Sequence, residues 1–229
     1  MAPLIISHRG KVDLSSSENS LVGIQEAIDL GVNMIEFDVR NTVNDVLVCY
    51  HDESIKGKPI SHIEYEEMKA LDKDVCKLEE VIELCKNKVG VNVEIKEEGY
   101  EEKVVDLLVS NFSYVDILIT SFKSKVIRKI KLKDSKLTTG FLIGESLSYN
   151  TFYRVIKESF TMREFLYSKA DFVSPYYKIY EIGLMYKFKK LKVPIQLWTV
   201  NNLSLLKDLI NRDIHSIVTD VSGKLLQEL

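Results

Sequence analysis

The sequence predicts a single α/β domain, residues 1–229, folded as a (β/α)8 TIM barrel. The first observation is the length, since 229 residues fit one barrel of about 250 residues. The second is a composition of 45% hydrophobic and 28% charged residues, which is typical of a chain with a large core. The third is the alternation of short apolar runs with stretches of helical period, which is the pattern of parallel strands joined by crossover helices.

Nine apolar runs have strand character, and stretches with the period of an amphipathic helix separate most of them. The predicted helix 20–30, for example, is followed by Gly31, and glycine commonly terminates helices. The predicted strands are 4–8, 34–40, 46–51, 91–96, 116–121, 138–143, 171–174, 194–200 and 215–219. The other predicted helices are 78–87, 100–110, 123–132, 180–191 and 203–211.

One connection is too short for a parallel crossover. Only residues 41–45 separate the second run from the third, whereas a crossover needs a dozen or more residues. These runs are therefore predicted to form an antiparallel hairpin, and a turn centred on Asn44 and Asp45 places Asp38 opposite His51. Without the returning strand, eight parallel strands remain. The predicted barrel thus carries an extra hairpin strand after its second strand.

Two long connections, 52–77 and 145–169, are candidate lids, because the loops after barrel strands carry the function of this fold. The alternative is that they are simple covering structure. The second connection contains apolar side chains at nearly helical spacing, which favours a helix packed on the barrel over a membrane-binding surface. These side chains are Phe152, Val155, Ile156, Phe160, Phe165 and Leu166.

Charge and composition argue against several classes of protein. The 34 acidic residues against 31 Lys and Arg give a net charge of −3, and no basic stripe is long enough for nucleic acid. No run approaches the roughly 18 apolar residues of a membrane span, and the sequence begins without the pattern of a secretory signal. The three cysteines lack the spacing of a zinc site, and we expect a cytoplasmic protein.

Acidic side chains interrupt two of the apolar strands. Glu36 and Asp38 share one face of the run 34–40, and Glu94 interrupts the run 91–96. Three carboxylates at one barrel mouth would repel each other by up to about 4 kcal/mol per close pair at an effective dielectric constant near 20. One hypothesis is a structural ion pair with a lysine or arginine of the barrel. The other is a bound cation, since three oxygen ligands without a thiolate suit Mg²⁺ or Ca²⁺.

Two histidines end strand runs near the same predicted mouth. His8 closes the first run and His51 closes the hairpin. Each of them alone could be a structural, hydrogen-bonded histidine. As a pair beside a phosphate they could act as general base and general acid, each contributing a factor of about 10² to 10⁴. Arg9 and Lys96 would then supply positive charge to the phosphate oxygens.

These residues belong to a longer set of motifs that keeps one order along the chain. Over nearly the whole length, the set resembles the glycerophosphodiester phosphodiesterase family of the PLC-like phosphodiesterase superfamily. Each motif is weak alone, but the ordered set is specific. The motifs are His8-Arg9-Gly10, Glu18-Asn19-Ser20, Ile35-Glu36-Phe37-Asp38-Val39, His51-Asp52, Glu94-Ile95-Lys96, Ser121-Phe122, Trp198-Thr199-Val200-Asn201 and Thr219-Asp220.

The resemblance implies a cation-dependent hydrolase that cleaves glycerophosphodiesters to sn-glycerol 3-phosphate and an alcohol. His8 and His51 match the two histidines of the family, and we favour His8 as base and His51 as acid. The cation would be Mg²⁺ or Ca²⁺, with Mn²⁺ as a further candidate. The resemblance implies cation binding by Glu36, Asp38 and Glu94, phosphate binding by Arg9 and Lys96, and a pocket wall for the glycerol or head group at Trp198.

Other hypotheses stay open at this point. The connection 52–77 is shorter than the usual insertion of the family, so the preferred alcohol is not predicted. A lysophospholipase D or sphingomyelinase D-like enzyme would share these histidines and carboxylates, but such relatives usually have disulfides and a signal peptide. A noncatalytic phosphate-binding barrel would be expected to lack one of these residues. A small-molecule diester is the expected partner, and the attacking oxygen belongs to water or to the glycerol 2-hydroxyl.

Overall fold

Parallel strands form a nearly closed barrel in the computed structural model, which describes residues 2–144 and 149–228. Each of the nine predicted strands is present, with differences at the ends, and three further short strands accompany them. Within the described residues the strands are β1 (Leu4–Ser7), β2 (Met34–Asn41), β3 (Leu47–Cys49), β4 (Ser54–Ile55), β5 (Lys58–Pro59), β6 (Cys76–Lys77), β7 (Gly90–Ile95), β8 (Ile117–Ser121), β9 (Thr138–Ile143), β10 (Phe172–Pro175), β11 (Gln196–Leu197) and β12 (Ser216–Thr219).

The barrel strands follow the order β1, β2, β7, β8, β9, β10, β11 and β12, and β12 pairs in parallel with β1. Two parallel bridges, from Val173 to Ile195 and from Tyr176 to Trp198, join β10 to the β11 region. All neighbouring barrel strands are therefore parallel, and the predicted eight-stranded barrel is confirmed.

Helices cover the outside of the barrel, and none among the described residues combines the length and the apolarity that crossing a bilayer requires. The predicted helix 180–191 is replaced by two short helices, because Gly183 between them adopts a left-handed φ of +80°. The helices are α1 (Leu21–Leu30), α2 (Tyr65–Leu71), α3 (Leu78–Cys85), α4 (Glu101–Asn111), α5 (Ser124–Lys133), α6 (Tyr149–Thr161), α7 (Arg163–Ser168), α8 (Tyr177–Glu181), α9 (Tyr186–Lys190), α10 (Leu203–Ile210) and α11 (Ser222–Gln227).

The hairpin after β2 differs in register from the predicted one. β3 pairs antiparallel with β2, as expected, but one position away from the predicted register. A three-residue loop, 43–45, replaces the predicted two-residue turn and ends at Asp45 with a φ of +59°. The backbone N–H of Tyr50 accordingly donates to the carbonyl of Asp38. The prediction that Asp38 lies opposite His51 is wrong, because the third loop residue moves every pair by one.

The connection 52–77 forms a small packed unit beside the barrel mouth. It contains the β4–β5 hairpin and α2, and β6 at its end pairs with β3. Its apolar side chains share a separate core with β3, so the connection is ordered covering structure. This core consists of Val48, Ile55, Ile60, Ile63, Tyr65, Met68 and Val75.

The second candidate lid, 145–169, is only partly packed on the barrel. Its residues 145–148 lie outside the described residues, and α6 and α7 form most of the remainder. Val155 and Phe165 are buried in the barrel core, in agreement with the predicted packing. The exposed members of the predicted apolar face are Phe152, Phe160 and Leu166.

The barrel interior contains both an apolar cluster and buried polar side chains. Gln196 accepts a hydrogen bond from Ser174 (2.9 Å) and donates one to Ser216 (3.1 Å). The register of β2 and β7 places Asp38 beside Glu94 at the mouth. The apolar cluster consists of Ile6, Met34, Leu118, Phe172 and Val218.

Candidate active site

Three carboxylates converge at the mouth of the barrel. Glu36 and Asp38 project from the same face of β2, because side chains two residues apart in a strand point the same way, and Glu94 projects from the neighbouring β7. Each side chain offers an oxygen that lies within 4.8 Å of the others. All three residues are at most 8% exposed. The structure thus brings together the three carboxylates that the sequence singles out.

Two cationic side chains lie directly against this cluster. Lys96 Nζ lies 2.6 Å from Asp38 Oδ1 and 2.7 Å from Glu94 Oε1. Arg9 Nε lies 3.1 Å from Asp38 Oδ2, and the Arg9 backbone N–H donates to Glu36 Oε2 at 3.0 Å. The predicted ion pairs are therefore present. Two positive charges against three carboxylates still leave the cluster one positive charge short.

The pKa values of the cluster reflect this shortage. Burial and the Asp38 carboxylate raise the pKa of Glu94 to about 7, against the opposing effect of Lys96. Burial, Asp38 and Glu94 also raise the pKa of Glu36. Burial alone would raise the pKa of Asp38, but Lys96 and Arg9 outweigh it and hold that pKa well below its ordinary range. Three buried carboxylates with only two positive side chains beside them are suited to bind a hard divalent cation such as Mg²⁺ or Ca²⁺.

A tight turn at the end of β1 places His8 and Arg9. Arg9 adopts a left-handed φ of +53° and Gly10 a φ of +74°. A Cβ atom on Gly10 would lie 2.7 Å from Cγ1 of Ile24, so only glycine fits here without movement of α1. The left-handed turn aims the Arg9 backbone N–H at Glu36, and the close approach of α1 explains why glycine stands at position 10.

The ring of His8 is held from behind by Asp220. His8 Nδ1 lies 2.7 Å from Asp220 Oδ1, and His8 Nε2 lies 4.0 Å from Glu36 Oε2. Asn201 in turn donates to Asp220 Oδ2 at 2.5 Å and accepts the Asp220 backbone N–H at 2.9 Å. Asp220 and Asn201 occur in the family-like motifs, but sequence reasoning assigned them no role, because their partners lie at the other end of the chain.

The motif Glu18-Asn19-Ser20 connects α1 to the same cluster. Glu18 accepts a hydrogen bond from the Arg9 guanidinium at 2.9 Å. Asn19 donates to Asp38 Oδ2 at 2.9 Å and accepts the Asp38 backbone N–H at 3.1 Å. The Ser20 hydroxyl caps the first turn of α1. Asn19 is thus a site residue that sequence reasoning missed, and its place in the motif was the only signal.

His51 lies at the edge of this arrangement. The guanidinium of Arg40 donates to the His51 carbonyl from Nε (2.9 Å) and Nη2 (2.7 Å). The His51 ring is 38% exposed, and its Nδ1 lies 2.8 Å from Asp52 Oδ1. Burial lowers the pKa of His51, and the Asp38 carboxylate opposes this only in part. The charge of Asp38 therefore affects the pKa of the His51 ring, although the hydrogen bond of the ring is made with Asp52.

Trp198 forms one wall of the cavity at the mouth. Its indole N–H donates to the Ser174 carbonyl at 2.8 Å, and its ring meets Phe122 edge to face at a centroid distance of 5.6 Å. The same small cavity, about 30 Å³, is lined by His8 and Glu94. Trp198 thus shares a cavity with the carboxylates, and its ring also contacts the rings of Phe122 and Tyr176.

Sequence comparison finds relatives along nearly the whole chain. The sequence model described as "Glycerophosphoryl diester phosphodiesterase family" matches residues 8–224. A glycerophosphodiester phosphodiesterase of Caldanaerobacter subterraneus subsp. tengcongensis is 27% identical over 242 residues, which cover 96% of this chain and 95% of the relative. An uncharacterised protein of Mycoplasma genitalium is 28% identical over 223 residues, or 87% of each chain.

Solved structures share the barrel. A glycerophosphodiester phosphodiesterase from Thermotoga maritima superposes with a TM-score of 0.77 at 23% identity, covering 100% of this chain and 99% of the other. A phosphodiesterase from Oleispira antarctica, solved in complex with the product sn-glycerol-3-phosphate, has a TM-score of 0.77 at 19% identity, covering 99% and 96%. The resemblance found in the motifs is confirmed: the chain belongs to the glycerophosphoryl diester phosphodiesterase family of phosphodiester hydrolases.

Proposed function

We propose that the protein hydrolyses glycerophosphodiesters to sn-glycerol 3-phosphate and an alcohol, with a divalent cation held by Glu36, Asp38 and Glu94. The observation that carries this proposal is the cluster of three buried carboxylates beside the ring of His8. The product bound by the Oleispira antarctica phosphodiesterase supports the same substrate class. When bound, the cation would polarise the phosphoryl group and favour ionisation of the attacking hydroxyl.

His8 would act as the general base. A carboxylate can only accept hydrogen bonds, so the contact with Asp220 places the proton of the neutral ring on Nδ1 and leaves Nε2 free to accept one. Nε2 is the nitrogen that faces Glu36 and the cavity. As the attacking oxygen forms its bond to phosphorus, its proton would pass to this nitrogen. That oxygen belongs to water or to the glycerol 2-hydroxyl. In the second case the first step would give a cyclic phosphodiester, and water would open it to sn-glycerol 3-phosphate in a second step.

His51 would act as the general acid. The bond between phosphorus and the alcohol oxygen breaks as a proton passes from the His51 imidazolium to that oxygen. The fork of Arg40 on the His51 carbonyl would hold the residue at the edge of the site. Arg9 and Lys96 would bind the phosphate oxygens, since both already lie against the carboxylate cluster. Trp198 would form the wall for the glycerol moiety.

The experiment is an assay of glycerol 3-phosphate released from glycerophosphocholine. Chelation with EDTA is expected to abolish turnover, and Mg²⁺, Ca²⁺ or Mn²⁺ is expected to restore it. His8→Gln and His51→Gln should each lower kcat by about 10² to 10⁴. The exposed His62, changed to Gln, is the matched control. Full turnover in EDTA or in the His8→Gln variant would contradict the mechanism.

Cation binding can be measured separately from turnover. Titration calorimetry with Ca²⁺ or Mg²⁺ should show one site in the wild type and weaker binding in Glu94→Gln. Glu79→Gln, on the exposed surface of α3, is the control and should bind like the wild type. If Glu94→Gln and the wild type bind the cation equally well, the carboxylate cluster is not the cation-binding site.

A further inference from the structure

A second cleft adjoins the candidate active site on the far side of Phe122. Its volume is about 360 Å³, and its walls come from the start of α5, the end of β9 and the helices α6 and α7. Phe122 and Leu142 line both this cleft and the small cavity at the carboxylates. A diester with its phosphate at the carboxylates could therefore extend its alcohol past Phe122 into this space, which we name the α6 cleft.

The α6 cleft has an excess of positive side chains. Two of its three acidic residues already accept hydrogen bonds within the protein. Glu158 accepts the backbone N–H groups of Glu164 and Phe165. Glu164 accepts a hydrogen bond from the Ser124 hydroxyl. The cationic residues of the lining are Lys123, Lys125, Arg154, Lys157 and Arg163, and the acidic ones are Glu98, Glu158 and Glu164.

The cations of the cleft differ in their ion pairing from the lysines further along α5. Lys129, Lys131 and Lys133 all form ion pairs with acidic residues of neighbouring elements. In the part of the chain that the structure describes, the five cations of the cleft form no such pair. Cations that form no ion pair within the described residues are available for an anion, and arginine and lysine side chains suit phosphate oxygens.

The opposite side of the mouth carries the reverse charge. The cavity beside His51, about 140 Å³, is lined by several carboxylates. Of these, Glu18 pairs with Arg9 and Asp52 with His51, whereas Asp72 and Asp74 only add negative charge to the rim. An anionic alcohol would be repelled on this side and attracted towards the α6 cleft.

We infer that the α6 cleft binds the alcohol part of diesters in which that alcohol carries a second phosphate group. This inference rests on the proposed function and specifies its substrate class. The cleft adjoins the carboxylate site, its size suits a polyol phosphate, and its charge is opposite to that of the ligand. The enzyme would thus prefer diesters with anionic alcohols to those with neutral or cationic alcohols.

The test compares two diesters that share the same leaving oxygen. Glycerophosphoglycerol releases glycerol, whereas bis(glycerophospho)glycerol releases an alcohol that carries a further phosphodiester. We expect kcat/KM per scissile bond to be about tenfold higher for the second diester at low ionic strength. Added salt should reduce this ratio, because exposed charges are screened.

Variants in the two walls of the cleft link the preference to it. The exposed pair Arg154→Gln/Lys157→Gln should bring the ratio of the two kcat/KM values close to one. Lys123→Gln/Lys125→Gln, on the opposite wall, should act in the same direction. Lys88→Gln/Lys190→Gln makes the same change in charge outside the cleft and should keep the wild-type ratio. Thermal melting shows whether each variant is folded.

Three outcomes would overturn the inference. Equal kcat/KM for both diesters in the wild type would show that the cleft does not select charge. If both cleft variants keep the wild-type ratio of kcat/KM values, residues outside the cleft cause the preference. A higher kcat/KM for glycerophosphocholine than for bis(glycerophospho)glycerol would favour the acidic side of the mouth. Failure to cleave any diester with any divalent cation would instead contradict the proposed function, on which this inference depends.

Discussion

The Nδ1 atom of His8 lies 2.7 Å from Oδ1 of Asp220, although 212 positions separate the two residues. The contact follows from barrel closure, because β1 and β12 pair in parallel with Ser7 beside Thr219. The residues that follow these partners therefore meet at the mouth. Closure of the barrel thus orients the histidine that faces the carboxylates, and Asn201 fixes Asp220 in turn.

Asp220→Asn should lower kcat by about 10²- to 10⁴-fold, since a histidine base held in the wrong tautomer loses most of its function. The amide can donate a hydrogen bond to Nδ1 and so favour the wrong tautomer, which should also change the pH profile of kcat. Asp213→Asn, on the exposed surface, is the control. An unaltered kcat and pH profile in Asp220→Asn would show that His8 needs no such partner.

Arg40→Lys should reduce kcat by roughly tenfold with a smaller change in KM, because misplacement of a catalytic group acts mainly on the chemical step. The two donors of Arg40 on the His51 carbonyl cannot both be replaced by one ammonium group. Arg128→Lys, which removes a guanidinium from the Tyr167 carbonyl, is the control. Steady-state kinetics would refute the role of Arg40 if both variants behaved alike.

Gly140→Ala should destabilise the protein by about 1–3 kcal/mol through overpacking. The new Cβ would lie 2.1 Å from Cε2 of Phe172, which is only 1% exposed in the apolar cluster of the barrel. The free energy of unfolding from urea titration measures the effect. The double variant Gly140→Ala/Phe172→Leu should recover part of the loss, and a wild-type midpoint for Gly140→Ala would contradict the close contact.

The stability of the protein should depend on pH through His215. Burial lowers the pKa of this imidazole below its ordinary value near 6.5, and its ring stacks on Phe172 at a centroid distance of 5.3 Å. The unfolded chain then binds a proton more readily than the folded one. The stabilisation is present above about pH 6.5 and is lost as the pH falls through the lowered pKa.

Unfolding of the wild type and His215→Gln can be compared between about pH 7.5 and 5. The wild type should lose a stability increment across this range that His215→Gln lacks. The exposed His62→Gln variant should follow the wild type. Parallel pH curves for wild type and His215→Gln would exclude this contribution.

Much of the local structure could be predicted from side-chain periodicity. The two-residue period of β2 placed Glu36 and Asp38 on one face, and the structure has them there. The hairpin after β2 was also predicted from its short connection. The register of this hairpin was not predicted, because the residues between the two strands are compatible with either a two-residue turn or a three-residue loop. In the structure Asp45 adopts a left-handed φ, and the loop has three residues.

The sequence by itself determined the strand order, the inward-facing acids and the family, because periodicity and ordered motifs are properties of the linear chain. Only the tertiary structure decided which side chains touch. The contacts of Asp220 with His8, of Arg40 with the His51 carbonyl and of Asn19 with Asp38 join separate elements. The same holds for the charge of the α6 cleft, whose cations come from the start of α5, from α6 and from α7. Such contacts depend on strand register, loop length and barrel closure, and no local pattern encodes these directly.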